Sequence, residues 1–302
     1  MPGRRRFILL AFGAVAAACA PGRPAPTPAP EDITAFQTVS ELTVGPNRFA
    51  FALMNPDGSE TDAAAVSVDF YYLGAGSPQF RFRFPATQQS ITVETPHPHP
   101  DGTLHTHTEL RTVYVVPEVV FDRPGPWGAD IGIRLGDGSV RRTTLALPVA
   151  VRGSTPALGS PAPASRSPTA SSPDQLAAVC TREPPCGLHR VSVADAVAGR
   201  RPFVVIFATP AFCRSRVCGP VLDLVLGLEP EYRGRLEFIH IEPYDLGLAR
   251  QGRFQLGPAA QQWGLPSEPW VFLVDKDGQV AAKLEGIFGP GELAAVLSKV
   301  LS

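Results

Sequence analysis

Residues 208–220 read ATPAFCRSRVCGP, so Cys213 and Cys218 are separated by four residues, Arg214 and Arg216 among them. Two thiols this close can cycle between dithiol and disulfide, and guanidinium charge beside them favours the thiolate, the reactive form. A second pair, Cys180 and Cys186, lies in CTREPPCGLH. It reads as a structural disulfide anchoring the segment around it, with thiol exchange between the two pairs as the sharper alternative. Cys186 with His189 also offers two zinc ligands, but no further cysteine–histidine pair completes a standard site. A third cluster, HPHPDGTLHTH, puts His97, His99, His105 and His107 around a Pro-Asp-Gly turn. Four imidazoles folded back by a turn can converge on copper or zinc, since neutral imidazole suits both. The prolines disturb a regular hairpin and nothing fixes the rings, so the composition fits a solvated loop better. His240, within the apolar FIHIE, reads as a core residue.

What must position these residues begins outside the cytoplasm. Arg4, Arg5 and Arg6 precede an apolar run from Phe7 to Ala18, the shape of an export signal and short for a spanning helix. Ala16-Ala17-Ala18-Cys19 resembles a bacterial lipobox, with alanine where leucine is usual at the first position. That resemblance implies cleavage before Cys19 and lipidation of its thiol, hence an extracytoplasmic protein anchored to the membrane. The alternative is a soluble secreted protein cut near Ala18. Of the five cysteines four then remain, an even number that can pair completely in an oxidising compartment. A formal net charge of −1 leaves no basic field for a nucleic-acid backbone, so no nucleic-acid partner is expected.

The 302 residues divide by composition into a signal peptide (1–19), a Pro/Ala tether (20–31), a first domain (32–152), a Ser/Pro/Ala linker (153–178) and a second domain (179–302). The first domain is a series of short apolar or alternating stretches. QFRFRF is the cleanest, with Phe80, Phe82 and Phe84 on one face and Arg81 and Arg83 on the other. Turn signals such as Asn55-Pro56-Asp57-Gly58 and Gly136-Asp137-Gly138 separate them. Seven or eight strands without a long helical pattern predict an all-β sandwich, immunoglobulin-like in the broad sense.

In the second domain the order is strand (PFVVIFAT), cysteine loop, helix from near Pro220, strand (LEFIHIE), short helix, hairpin (PWVFLVD and QVAAKLEG) and terminal helix. Ser192, Asp195 and Gly199 bracket a further short helix as cap, capping-box partner and stop. With VVIFAT before the cysteine loop and SEPWVFLVDKDGQV after it, residues 187–302 resemble the thioredoxin-like fold. The resemblance implies an α/β domain, a cis-proline at Pro269 facing the cysteines, and Trp270 lining the site. It departs from the family in spacing, since the family separates its cysteines by two residues. Cysteines five positions apart on one helix would point about 140° apart and could not bond. A helix starting near Pro220 leaves both in a loop where a short ring can close. VCGPV also resembles the family's Cys-Gly-Pro-Cys with Val221 in place of the second cysteine, so either Cys213 or Cys218 can be the nucleophile; Cys213 follows the strand at nearly the family distance.

The leading expectation is a membrane-tethered thiol-disulfide oxidoreductase acting on protein disulfides through Cys213 and Cys218. It needs no cofactor, and its partners are protein thiols or disulfides and a redox partner. Arg214, Arg216 and the amides of the helix start are expected to lower the thiol pKa. The alternatives are a copper-binding or copper-delivery lipoprotein and a non-catalytic binding lipoprotein with structural disulfides. Sco-type copper chaperones use three residues between the cysteines and a downstream histidine, and no histidine follows His240. Peroxiredoxins place a threonine three positions before the reactive cysteine, whereas Thr209 is four before Cys213.

Overall fold

The structure, a computed structural model, describes residues 32–98 and 103–301. The expected signal peptide, the tether, Cys19 and His99 lie outside the described residues.

Period-2 patterning builds the first unit. In β6 (Gly125–Leu135) every second residue from Trp127 to Ile133 is buried and the intervening ones are not. With β1 (Thr34–Gln37), β2 (Gly45–Met54), β3 (Ala63–Tyr72), β4 (Gln79–Pro98), β5 (Leu104–Phe121) and β7 (Val140–Val149) it forms an antiparallel sheet of order β1-β2-β5-β4-β3-β6-β7. A bridge between Thr43, in the β1–β2 connection, and Ala150, just after β7, together with contacts between β1 and β7, brings the sheet close to closing on itself. Inside it Phe49, Phe51, Phe70, Phe121 and Trp127 form an aromatic core.

QFRFRF and SITVET are one strand. β4 runs for 20 residues and changes partner midway, pairing with β3 up to Ala86 and with β5 from Thr87. Pro85 falls just before the β5 ladder begins, so it costs that ladder no hydrogen bond. Among the described residues no strand pairs with the β3 side of β4 beyond Ala86, and the β4–β5 pair continues as a two-stranded arm up to the Pro98–Leu104 pairing. The prolines do not disrupt this hairpin as the sequence suggested, because an edge strand tolerates residues that cannot donate outward.

The second unit contains α1 (Pro173–Val179), α2 (Val193–Ala198), β8 (Phe203–Phe207), α3 (Cys218–Tyr232), β9 (Glu237–Ile241), α4 (Leu246–Ala249), α5 (Pro258–Gln262), β10 (Trp270–Val274), β11 (Val280–Glu285) and α6 (Pro290–Leu301). Its sheet has the order β11-β10-β8-β9, with β8 parallel to β9 and β10 antiparallel to both neighbours. Every residue of β8 and β10 is buried, as unbroken apolar runs covered on both faces must be. Helices α3 and α6 cover one face, and α2 and α5 the other. Ser192 caps α2 by accepting from the Asp195 N–H.

Two features fix the units against each other. The Ser/Pro/Ala segment, expected as a spacer, instead runs along the outer edge of β11: Gly159 N–H donates to Val280 O, Val280 N–H to Ser160 O, and Ala162 N–H to Gly278 O. An edge strand's unpaired amides and carbonyls are thereby satisfied. Arg48 of β2 is nearly buried and pairs bidentately with Glu292 of α6 at 2.7 and 3.1 Å, while its other donors meet the carbonyls of Glu285 and Ile287. This docking lays the β4–β5 arm against the second unit, where Ile91 and Val93 join the core under α3.

Candidate functional site

Cys213 and Cys218 lie at the C-terminal end of β8, on opposite sides of the start of α3. The chain turns tightly there: Cys213 N–H donates to Thr209 O and Arg216 N–H to Cys213 O, with Arg216 at φ 61°. The helix starts at Cys218, so Cys213 stands in the preceding loop and the two thiols are not set apart by helical rotation. Both are free thiols. Cys218 is fully buried, whereas Cys213 lines a cleft of about 850 Å3.

Their environments differ in consequence. The Cys218 thiol, the Ser215 hydroxyl and the N–H groups of Cys218 and Val217 stabilise the Cys213 thiolate, which lowers its pKa to about 6 against the opposing effect of burial. Ser215 Oγ lies 3.3 Å from its sulfur. These groups take the place of the arginine charge expected from sequence; the side chains of Arg214 and Arg216 are solvent-exposed, and Arg216 lines the cleft. Burial, then the neighbouring Cys213, push Cys218 well above the ordinary thiol range. Glu268 is raised by burial and by the charge of Cys213, and accepts a hydrogen bond from Tyr244 Oη at 3.0 Å. The Glu268–Pro269 peptide is cis. Trp270 does not line the site: strand alternation sends it with Phe272 to the opposite face of the sheet, while Val271 and Leu273 face the cysteines.

The wall of the cleft across from Cys213 is supplied by Ser90, Ile91, Thr92 and Glu94 of β4. No local signal in the cysteine motif points to that contribution from the first unit.

The other pair is built differently. Cys180 caps the C-terminus of α1, Cys186 and His189 follow in the next loop, and His240 projects from β9. Instead of the bonded pair expected, the Cys180 and Cys186 sulfurs stand 3.8 Å apart as thiols, and two imidazoles join them. His240 Nδ1 is 3.3 Å from Cys186 Sγ, 3.7 Å from Cys180 Sγ and 3.1 Å from His189 Nε2, which is 3.5 Å from Cys186 Sγ. All four donor atoms lie within 4.8 Å of one another and all four residues are buried, so the group could hold a metal ion. Cys180 is held below the ordinary thiol range, first by the Cys186 thiol and against the opposing effect of burial, and Cys186 is pushed above it by its Cys180 neighbour and by burial. His240, read from sequence as a core residue, is the member that was missed. A buried histidine inside an apolar strand needs a polar partner, and that is the signal it carries.

The two sulfur sites share a wall. His240 Nε2 hydrogen-bonds the Ala208 carbonyl at 2.9 Å, and Ala211 N–H donates to Thr181 Oγ1, next to Cys180. Residues 208–211 therefore connect the loop of Cys213 to the cysteine–histidine cluster.

Of the expected histidine cluster, His97, His105 and His107 lie near the end of the β4–β5 arm. His97 is in register with His105, and the His105 and His107 rings meet edge to face at 4.9 Å. Among the described residues no helix is long and apolar enough to cross a membrane.

No known family model matches the chain, and no curated protein matches it. Among solved structures, a cohesin module from a Clostridium perfringens ATCC13124 family 33 glycoside hydrolase is similar over 40% of this chain and 98% of the module. Its identity is 9% and its TM-score 0.18, a likeness that carries no argument.

Proposed function

We propose that this chain is an extracytoplasmic thiol-disulfide oxidoreductase, tethered to the membrane through a lipidated Cys19 and acting on protein disulfides with Cys213 as nucleophile and Cys218 as resolving thiol. The observation that carries the reading is the asymmetry of the pair: Cys213 lines a cleft with Ser215 Oγ at 3.3 Å and its pKa lowered, and Cys218 is fully buried behind it with its pKa raised. In the reductive direction the Cys213 thiolate attacks one sulfur of a substrate disulfide, whose S–S bond breaks and releases a thiolate. Cys218 then loses its proton and attacks Cys213 Sγ, expelling the second substrate thiolate and closing the Cys213–Cys218 disulfide. Glu268, a buried carboxylate in the field of both sulfurs, accepts that proton. Oxidation is the same path reversed. Pro269 holds the incoming substrate strand, as the thioredoxin-like resemblance implies.

On this reading the second unit is thioredoxin-like, supported by its strand order with a parallel pair, an antiparallel hairpin and helices on both faces. The first unit is an immunoglobulin-like sandwich, supported by the order β1-β2-β5-β4 beside β3-β6-β7, which parallels the A-B-E-D and C-F-G sheets of constant-type domains.

The test is equilibration of the full chain in defined thiol buffers, with alkylated cysteines located by mass spectrometry. A Cys213–Cys218 potential between about −270 and −120 mV supports the proposal, and a value below about −300 mV or a pair that never closes rejects it. The arm tip supports a second reading, copper binding, through the His105–His107 contact and the register of His97 with His105. Copper titration of the chain and of a His105→Ala/His107→Ala variant tests it; equal binding by both discards it.

A further inference from the structure

We propose that Cys180, Cys186, His189 and His240 form a structural zinc site. A zinc ion with sulfurs at about 2.3 Å and nitrogens at about 2.0–2.1 Å, in tetrahedral geometry, holds its two sulfurs about 3.8 Å apart, its two nitrogens about 3.3 Å apart and each sulfur–nitrogen pair about 3.5 Å apart. The corresponding distances here are 3.8 Å for sulfur to sulfur, 3.1 Å for nitrogen to nitrogen, and 3.3, 3.5 and 3.7 Å for three sulfur–nitrogen pairs. The remaining edge, Cys180 to His189, is under 4.8 Å. Five edges of the donor set therefore match a tetrahedral zinc site, and all four residues are buried.

The surroundings agree with the donor set. Because the Ala208 carbonyl can only accept, His240 Nε2 carries the ring's proton, and Nδ1 presents its lone pair toward the sulfurs. His240 N–H donates to Leu188 O at 2.8 Å, which holds the loop of Cys186 and His189 against β9. Two thiolates and two neutral imidazoles cancel the charge of a divalent ion, so a buried site carries no net charge; binding releases the two thiol protons. Soft sulfur with imidazole in tetrahedral array selects zinc over magnesium or calcium. Four protein donors leave no open position for substrate, which makes the site structural. A cavity of about 280 Å3 reaches His189 and His240 and gives the ion a way in.

The experiment uses the full chain, reduced and stripped with chelator, then given Zn2+ and passed through gel filtration. One equivalent of zinc is expected, with Cys180 and Cys186 protected from alkylation. A Cys213→Ser/Cys218→Ser variant is expected to keep the zinc, so failure of the redox proposal does not affect the outcome. His240→Ala is expected to lose it and His240→Cys to retain it. Co2+ in the unmodified chain, which needs no variant to fold, is expected to give the intense visible bands of a tetrahedral site with thiolate-to-cobalt charge transfer. Substoichiometric zinc, an octahedral cobalt spectrum, or equal retention by a Cys180→Ser/Cys186→Ser variant overturns the proposal.

Discussion

The two cysteine pairs share a core and a wall yet are placed for different chemistry. Around Cys213 the neighbours are hydrogen-bond donors, the amides of a helix start and a hydroxyl, and one side opens on a cleft. Around Cys180 and Cys186 the neighbours are imidazole nitrogens, and all four residues are buried, with one small cavity reaching the two histidines. Donors aimed at a sulfur favour a thiolate that attacks, whereas lone pairs aimed at the same point as two sulfurs favour a cation. Cysteine spacing is secondary to what faces the sulfur.

The largest effect that would break this contrast is loss of exchange. Cys213→Ser is expected to lower disulfide reduction by at least about a hundredfold while Cys218→Ser accumulates a mixed disulfide with substrate, both read in a turbidity assay and by intact mass. A comparable loss of activity in the single variants Cys180→Ser and Cys213→Ser would erase the distinction. Next, chelation or His240→Ala is expected to lower the melting temperature by on the order of 10 °C, with no such change in Cys213→Ser, measured by scanning calorimetry. The pairs should also separate by pH. Alkylation of Cys213 in the reduced chain is expected to rise as pH climbs through about 6, since only the thiolate reacts, whereas an ordinary cysteine rises near about 8.5. Smallest, Ser215→Ala removes one donor to that thiolate and should move the Cys213 midpoint upward by about half to one pH unit.

The parts of this arrangement that are local in sequence could be read from it. Alternation in ADIGIRL, the unbroken apolar runs of β8 and β10 and the Ser192 cap each follow from spacing alone. β4 was harder, because Pro85 and the polar residues after it look like a break; the strand continues there by exchanging one neighbour for another, which is a tertiary event. The Cys213–Cys218 loop was legible as a motif, while its β4 wall, more than a hundred residues upstream, was not. His240 lies 54 residues from Cys186, and only the parallel β8–β9 pairing and the tie to Leu188 place it beside the sulfurs. The arginines misled for a complementary reason: adjacency in sequence put charge near the thiols, yet exposed guanidinium groups left the short-range donors to dominate.

The wall lent by β4 works as a gauge. Because Arg48, Glu292 and the strapped Ser/Pro/Ala segment hold it at a set distance from the cysteine loop, the aperture over Cys213 does not depend on the two halves meeting by chance. On the proposed function, a sulfur recessed there would be out of reach of a disulfide lying flush with a broad folded surface. It would admit one presented on a narrow protruding loop or an extended segment, so the shape of the visitor, before any chemistry, would decide what is let through.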